Sequence, residues 1–138
     1  MPEKTNNIKT IPMLDLKAQH DPLNEEIKAA LRDILNSSRF ILGPNVSSFE
    51  QEVASYCGVS GAVGLGSGTD ALYLALRALD IKEGDEVITT PFTFFATAEA
   101  ITYVGATPVF VDIERQTLNI DPSKIEEKIT PRTRAIIV

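Results

Sequence analysis

The stretch Ala62-Val63-Gly64-Leu65-Gly66-Ser67-Gly68-Thr69-Asp70-Ala71-Leu72 decides how this chain is read. A short apolar run at 62–65 suits a strand. A glycine-rich turn follows, and from Thr69 or Asp70 to Leu79 the sequence is apolar almost all round, as in a buried helix. Glycines in the turn let the backbone come close to a ligand without side-chain clash. The helix behind them offers free N–H groups and the positive end of its dipole, which suits phosphate. Ser67 and Thr69 add hydroxyls at the same place. Taken alone, the pattern serves equally well as a tight turn that lets a helix pack closely on a sheet.

Downstream, strand and helix alternate. Glu83-Gly84-Asp85 turns into a strand at 86–90, and a helix at 95–104 ends where Gly105 would form a left-handed cap. A strand at 109–113, a short helix at 122–129 capped by Asp121, and a last strand at 135–138 complete the series. The order β-α-β-α-β-α-β, with Val and Ile runs in the strands, predicts an α/β fold: a three-layer, mostly parallel sheet flanked by helices. Right-handed crossovers then bring the C-terminal strand ends, and any ligand, to one edge.

Upstream, residues 1–13 read as a loose arm or a short strand at 8–13. Asp21-Pro22 is a helix start signal, with Leu23, Ile27, Leu31, Ile34 and Leu35 forming one stripe and Asn36-Ser37-Ser38 ending it. Residues 39–44 make a stiff apolar loop. A second helix at 46–56 would bury Val46, Phe49, Val53 and Cys57, the cysteine as a small hydrophobe. Two parts result: an N-terminal arm with helices at 1–60, and at 61–138 the first part of a larger α/β domain. Because the chain stops within an apolar strand at Val138, the expectation is the front portion of a longer protein.

Composition excludes several classes. The 138 residues carry 13 Lys+Arg against 19 Asp+Glu, a net charge of −6, and no basic run, which argues against a nucleic-acid partner. With 43% hydrophobic residues, disorder is not expected. One cysteine and one histidine leave no disulfide framework, cysteine-based zinc site or histidine cluster. The polar N-terminus lacks a signal-peptide core, and no apolar run nears the roughly 20 residues of a membrane span. A soluble, cytoplasmic protein without membrane or metal is the expectation.

A second candidate region, Pro91-Phe92-Thr93-Phe94-Phe95-Ala96-Thr97, follows the second strand and opens on the edge of the glycine turn. Phe92 and Phe95 are expected in the core; three aromatics in four residues cannot all face inward, so one is free to stack on a planar ring. Asp112 reads as a loop cap and His20 as an exposed helix-entry residue. Gly66-Ser67-Gly68-Thr69-Asp70-Ala71 satisfies a dinucleotide fingerprint. However, the acid at the right separation, Glu86, falls at the start of its strand and not at the ligand end, so a Rossmann module is the weaker alternative. No P-loop lysine or nucleophile elbow is present.

Together, Phe40-Ile41-Leu42-Gly43-Pro44, Phe49-Glu50, Gly66 to Leu72, Gly84-Asp85-Glu86-Val87-Ile88, Phe92-Thr93-Phe94, Gly105 to Asp112 and Thr117-Leu118-Asn119 resemble the DegT/StrS-type sugar-nucleotide aminotransferases, from about Leu14 to Val138. The resemblance implies a truncated fold-type I large domain that uses pyridoxal 5′-phosphate (PLP). It implies that Gly68, Thr69 and Asp70 form part of the phosphate cup, that Phe94 stacks on the pyridine ring, and that the 40–44 loop lies near the active-site mouth. It further implies amino transfer, commonly from glutamate, to a nucleotide-linked keto sugar, by a homodimer. The Schiff-base lysine and the carboxylate facing the pyridinium would fall beyond Val138; Lys82, Lys124 and Lys128 do not match the lysine's position. No catalytic residue is therefore assigned, and this chain alone is expected to be inactive. A PLP-dependent sugar dehydratase of the same family and a non-catalytic regulator on the same fold stay open.

Overall fold

The computed structural model describes residues 12–138, so most of the arm, including residues 8–11 of the strand expected at 8–13, lies outside the described residues. The chain folds as two units, 1–62 and 63–138.

In the first unit the helical path begins earlier than Asp21-Pro22 suggests. Helix α1 (Leu16–His20) is capped by Asp15, whose carboxylate accepts from the Ala18 amide at 3.1 Å. A 3-10 turn at Asp21–Leu23 carries the chain into α2 (Asn24–Ser37). Asp21 is thus no N-cap; it has helical dihedrals and takes the Lys17 ammonium four residues back. Pro22 is tolerated because the first position of a helical turn needs no N–H. Ser38, at φ 53°, ends α2 in the left-handed region. Helix α3 (Pro44–Cys57) starts with Pro44 in its first turn. Gly43 is required there, because a Cβ would stand 2.8 Å from the Arg39 carbonyl oxygen. Val46 and Val53 are half-buried, but Phe49 and Cys57 are exposed, correcting the expected inner face. Cys57 is the last residue of α3, just before Gly58 turns the chain at φ 66°, and it stands on the surface.

The second unit holds the sheet. Helix α4 (Gly68–Ala78) leads to β1 (Glu86–Thr89), α5 (Phe95–Tyr103) and β2 (Thr107–Phe110). The chain then passes through two 3-10 turns, Pro122–Lys124 and Glu126–Lys128, to β3 (Thr133–Ile136). The order is β2-β1-β3, all parallel. β1 is central and buried along its length, and its side chains alternate between two layers. Val87 packs with Leu76, Ile81, Ala100, Ile101, Val104 and Ala106 of the α4–α5 side. Ile88 packs on the opposite face with Val111 and Ile120, beside Ile125 from between the 3-10 turns. That is the three-layer arrangement.

Several expected boundaries move for physical reasons. The ladder pairs Glu86 with both Thr107 and Thr133, so the outer strands begin two residues before their Val/Ile runs. The helix expected at 122–129 is too short to gain many α-type bonds and tightens into 3-10 turns, with Asp121 still capping the Ser123 amide. Residues 62–65 form no strand; Val63 is 79% exposed, so the burial that would hold a strand there is missing. Gly105 does end α5 with φ 84°, where a Cβ would press on the Glu83 amide at 3.2 Å. In β2, the amides of Thr107 and Val111 donate to Asp85 and Thr89 beside or on β1. Alternation therefore turns Pro108 towards the outer edge, where its missing N–H breaks no bond.

Candidate functional site

The turn entering α5 leaves the C-terminal end of β1, the ligand edge of a parallel sheet, and α4 and α5 pack against each other. At the start of α4, Ser67 is extended (φ −160°, ψ 164°), and its Oγ accepts from the Asp70 amide at 3.1 Å. The Ser67 carbonyl accepts from Ala71 at 3.1 Å. The amides of Gly68 and Thr69, at the first two helical positions, have no acceptor within the helix, and the Thr69 hydroxyl stands beside them. A Cβ on Gly68 would meet nothing within 4 Å, so the space beside Gly68 is open. Gly66 is tighter: a Cβ would lie 3.2 Å from the Asp70 carboxylate. Donors without helical acceptors beside an open glycine fit a phosphate group.

The loop after β1 supplies the aromatic part. Thr90 Oγ1 accepts from the Phe92 amide at 3.2 Å, and the Phe94 carbonyl accepts from the Thr97 amide at 3.0 Å, which pins the loop at both ends. Phe94 immediately precedes α5 with extended backbone and is 80% exposed. A cavity of about 290 Å³ lies against Pro91, Phe92 and Thr93. Phe92 and Phe95 are exposed too, which corrects their expected place in the core. The reason is close packing: α5 buries Ala96, Thr97, Ala100 and Ile101, mostly small residues, and a phenylalanine on that face would hold the helix off the sheet.

Other candidates are structural. The Asp112 carboxylate accepts from the Ile113 amide at 2.8 Å and sits 3.8 Å from Lys124 Nζ, as a loop cap does. His20 is exposed at the end of α1. Among the described residues no cluster of three or more His, Cys, Asp or Glu side chains is placed to hold a metal ion.

Glu86 lies at the opposite edge of the sheet, only 6% exposed. Its carboxylate accepts from the Thr130 hydroxyl at 2.5 Å and from two nitrogens of the Arg132 guanidinium, and these bonds hold it below the usual carboxylate range. Beside it, Asp85 accepts from Arg134 Nε at 3.3 Å. The sequence reading missed this network, because the arginines lie 46 and 49 residues away. It also missed Thr89, whose buried hydroxyl has no hydrogen-bond partner among the described residues. The available signal was a threonine ending a Val-Ile strand.

The model of the DegT/DnrJ/EryC1/StrS aminotransferase family matches residues 21–138. The chain belongs to this family. Its relatives include the UDP-N-acetyl-3-dehydro-alpha-D-glucosamine 3-aminotransferase of Acidithiobacillus ferrooxidans, 55% identical over 127 residues, which are 92% of this chain and 34% of that protein. The pleiotropic regulatory protein of Geobacillus stearothermophilus is 50% identical over the same shares. Among solved structures, DesV of S. venezuelae, in complex with a ketimine intermediate, superposes with a TM-score of 0.88 at 48% identity, over 91% of this chain and 34% of DesV. NtdA of Bacillus subtilis, with its cofactor PMP bound, gives 0.88 at 37% identity, over 97% of this chain and 31% of NtdA. This chain therefore spans about a third of the length of these relatives. The neighbours place the α/β unit in the fold-type I class of PLP enzymes.

Proposed function

We propose that the whole protein transfers an amino group, with PLP as cofactor and glutamate as donor, to a keto carbon of a nucleotide-linked sugar. The observation that carries this reading is the start of α4: Gly68 and Thr69 amides without helical acceptors, with open space beside Gly68, in a member of this aminotransferase family. The Gly68 and Thr69 amides and the Thr69 hydroxyl bind the phosphate, and the positive end of the α4 dipole favours its charge. Asp70 contributes its backbone amide once Ser67 Oγ releases it. The exposed ring of Phe94 stacks on the pyridine and keeps water from one of its faces. PLP, when bound, supplies the electron sink that makes amino transfer possible.

The rest of the reading concerns the whole protein as well. It acts as a cytoplasmic homodimer, without a nucleic-acid or membrane partner. The net charge of −6 argues against a nucleic-acid partner, and no helix among the described residues is long and apolar enough to cross a membrane; the homodimer and the cytoplasmic location rest on the family resemblance. A regulatory role is the second reading, favoured by the name of the Geobacillus stearothermophilus relative.

One assay separates the two. Whole protein incubated with PLP, glutamate and a nucleotide-linked 3-keto sugar is expected to release 2-oxoglutarate and aminate the sugar, whereas residues 1–138 alone turn nothing over. Tight PLP binding without amination across UDP- and dTDP-linked keto sugars would favour the regulator.

A further inference from the structure

We propose that Thr89 is a positioning residue for the aromatic loop: its hydroxyl and the Thr93–Thr97 hydroxyl pair hold one ordered water beneath residues 90–94, and that water steadies the seat of Phe94. This rests on the PLP site proposed above and adds a residue to it.

The starting point is the buried hydroxyl. Thr89 is 1% exposed, and its Oγ1 has no hydrogen-bond partner among the described residues. Buried polar groups in folded proteins are nearly always satisfied, by protein or by ordered water. Valine has the same shape and would fill the position without that cost.

Direction comes from the pleat. Thr89 is two residues beyond Val87, so it points to the same face of β1, the face covered by α5. Level comes from the crossover. β1 and β2 are parallel, so α5 runs back against them. Val87 shares one cluster with Ala100 and Ile101. Going from Val87 to Thr89 moves about 6.6 Å towards the C-terminal edge. Going from Ala100 or Ile101 back to Thr97 moves about 4.5–6 Å in the same direction. Thr89 and Thr97 therefore stand at one level, and Thr97 is itself buried.

The donor inventory also works. Thr93 Oγ1 and Thr97 Oγ1 lie 3.1 Å apart, so one hydroxyl proton is used between them and the other is free. Thr89 brings a further proton and two lone pairs. A water needs two to four polar partners, and these hydroxyls supply them. Held there, it would tie the end of β1 to the first turn of α5, across the base of the loop whose outer residue is Phe94.

The test uses the whole protein, freed of cofactor and titrated with PLP spectrophotometrically, as wild type, Thr89→Val, Thr89→Ser and Phe94→Ala. Thr89→Val is expected to weaken PLP about three- to tenfold without lowering the thermal midpoint, since the replacement is isosteric. Thr89→Ser keeps the hydroxyl and is expected to bind within about twofold of wild type. A crystal structure of the wild type should show a water within hydrogen-bond distance of Thr89 Oγ1 and of Thr93 or Thr97. Wild-type affinity in Thr89→Val, equal weakening in Thr89→Val and Thr89→Ser, or absence of that water would overturn the proposal. If Phe94→Ala weakens PLP while Thr89→Val does not, only the water is lost; if Phe94→Ala also binds normally, the PLP site itself is wrong.

Discussion

The two ends of β1 invest their polar groups differently. At the N-terminal end, Glu86 is buried and accepts from Thr130 and Arg132, while Asp85 takes Arg134 and the Lys82 amide. At the C-terminal end, Thr89 keeps an unmatched hydroxyl and the phenylalanines of the following loop are exposed, while on the neighbouring α4 the amides of Gly68 and Thr69 have no helical acceptor. One edge is satisfied internally and holds the sheet together. The other has donors to spare, and that surplus is what a binding edge needs.

This contrast can be broken by experiment. The largest effect is expected at the cup: in the whole protein, Thr69→Ala should weaken PLP about 10- to 100-fold by removing a hydrogen bond to a charged group. Phe94→Ala should weaken it about two- to tenfold, the scale of one aromatic stack. Both should leave the thermal midpoint nearly unchanged; unaltered cofactor titrations would mean that this edge binds something else.

Glu86→Gln should do the reverse, lowering the midpoint while PLP affinity holds. The sign with pH follows from its depressed pKa. Folded Glu86 binds its proton more weakly than unfolded Glu86, so its stabilisation is complete above the unfolded value and fades as pH falls through the folded one. Wild type minus Glu86→Gln, followed by thermal melts from neutral to acid pH, should shrink towards zero on the acid side. A gap that does not change with pH would remove the carboxylate from the account. The smallest effect is at the cap: Ser67→Ala should cost about 1 kcal/mol in denaturant melts by freeing the Asp70 amide.

Much of this is legible in the sequence. The helix beginning just after Ser67, a residue or two before its expected start, the strand from Glu86, the helix from Phe95 and the left-handed Gly105 rest on local signals: glycine, capping residues and periodicity. What sequence hid was decided at a distance. Cys57 and Phe95 look like core by type, yet whether either is covered depends on what packs there. For α5, the close approach to the sheet chose alanines over phenylalanine. Asp21-Pro22 carries a real start signal, but Asp15 opens the helix first. Glu86 could be assigned to its edge from the sequence, but its partners could not, because the pairing spans 46 residues.

Pro108 has a last consequence. Exposed strand margins are where one molecule's sheet can adopt a stray strand from another, the first step towards aggregation. Among the described residues β2 is such a margin, only four residues long, and of its two outward-facing backbone positions, 108 and 110, the first has nothing to donate. A visiting strand would find a gap in the ladder where it most needs a bond. On that flank the molecule carries its own guard against sticking to its neighbours.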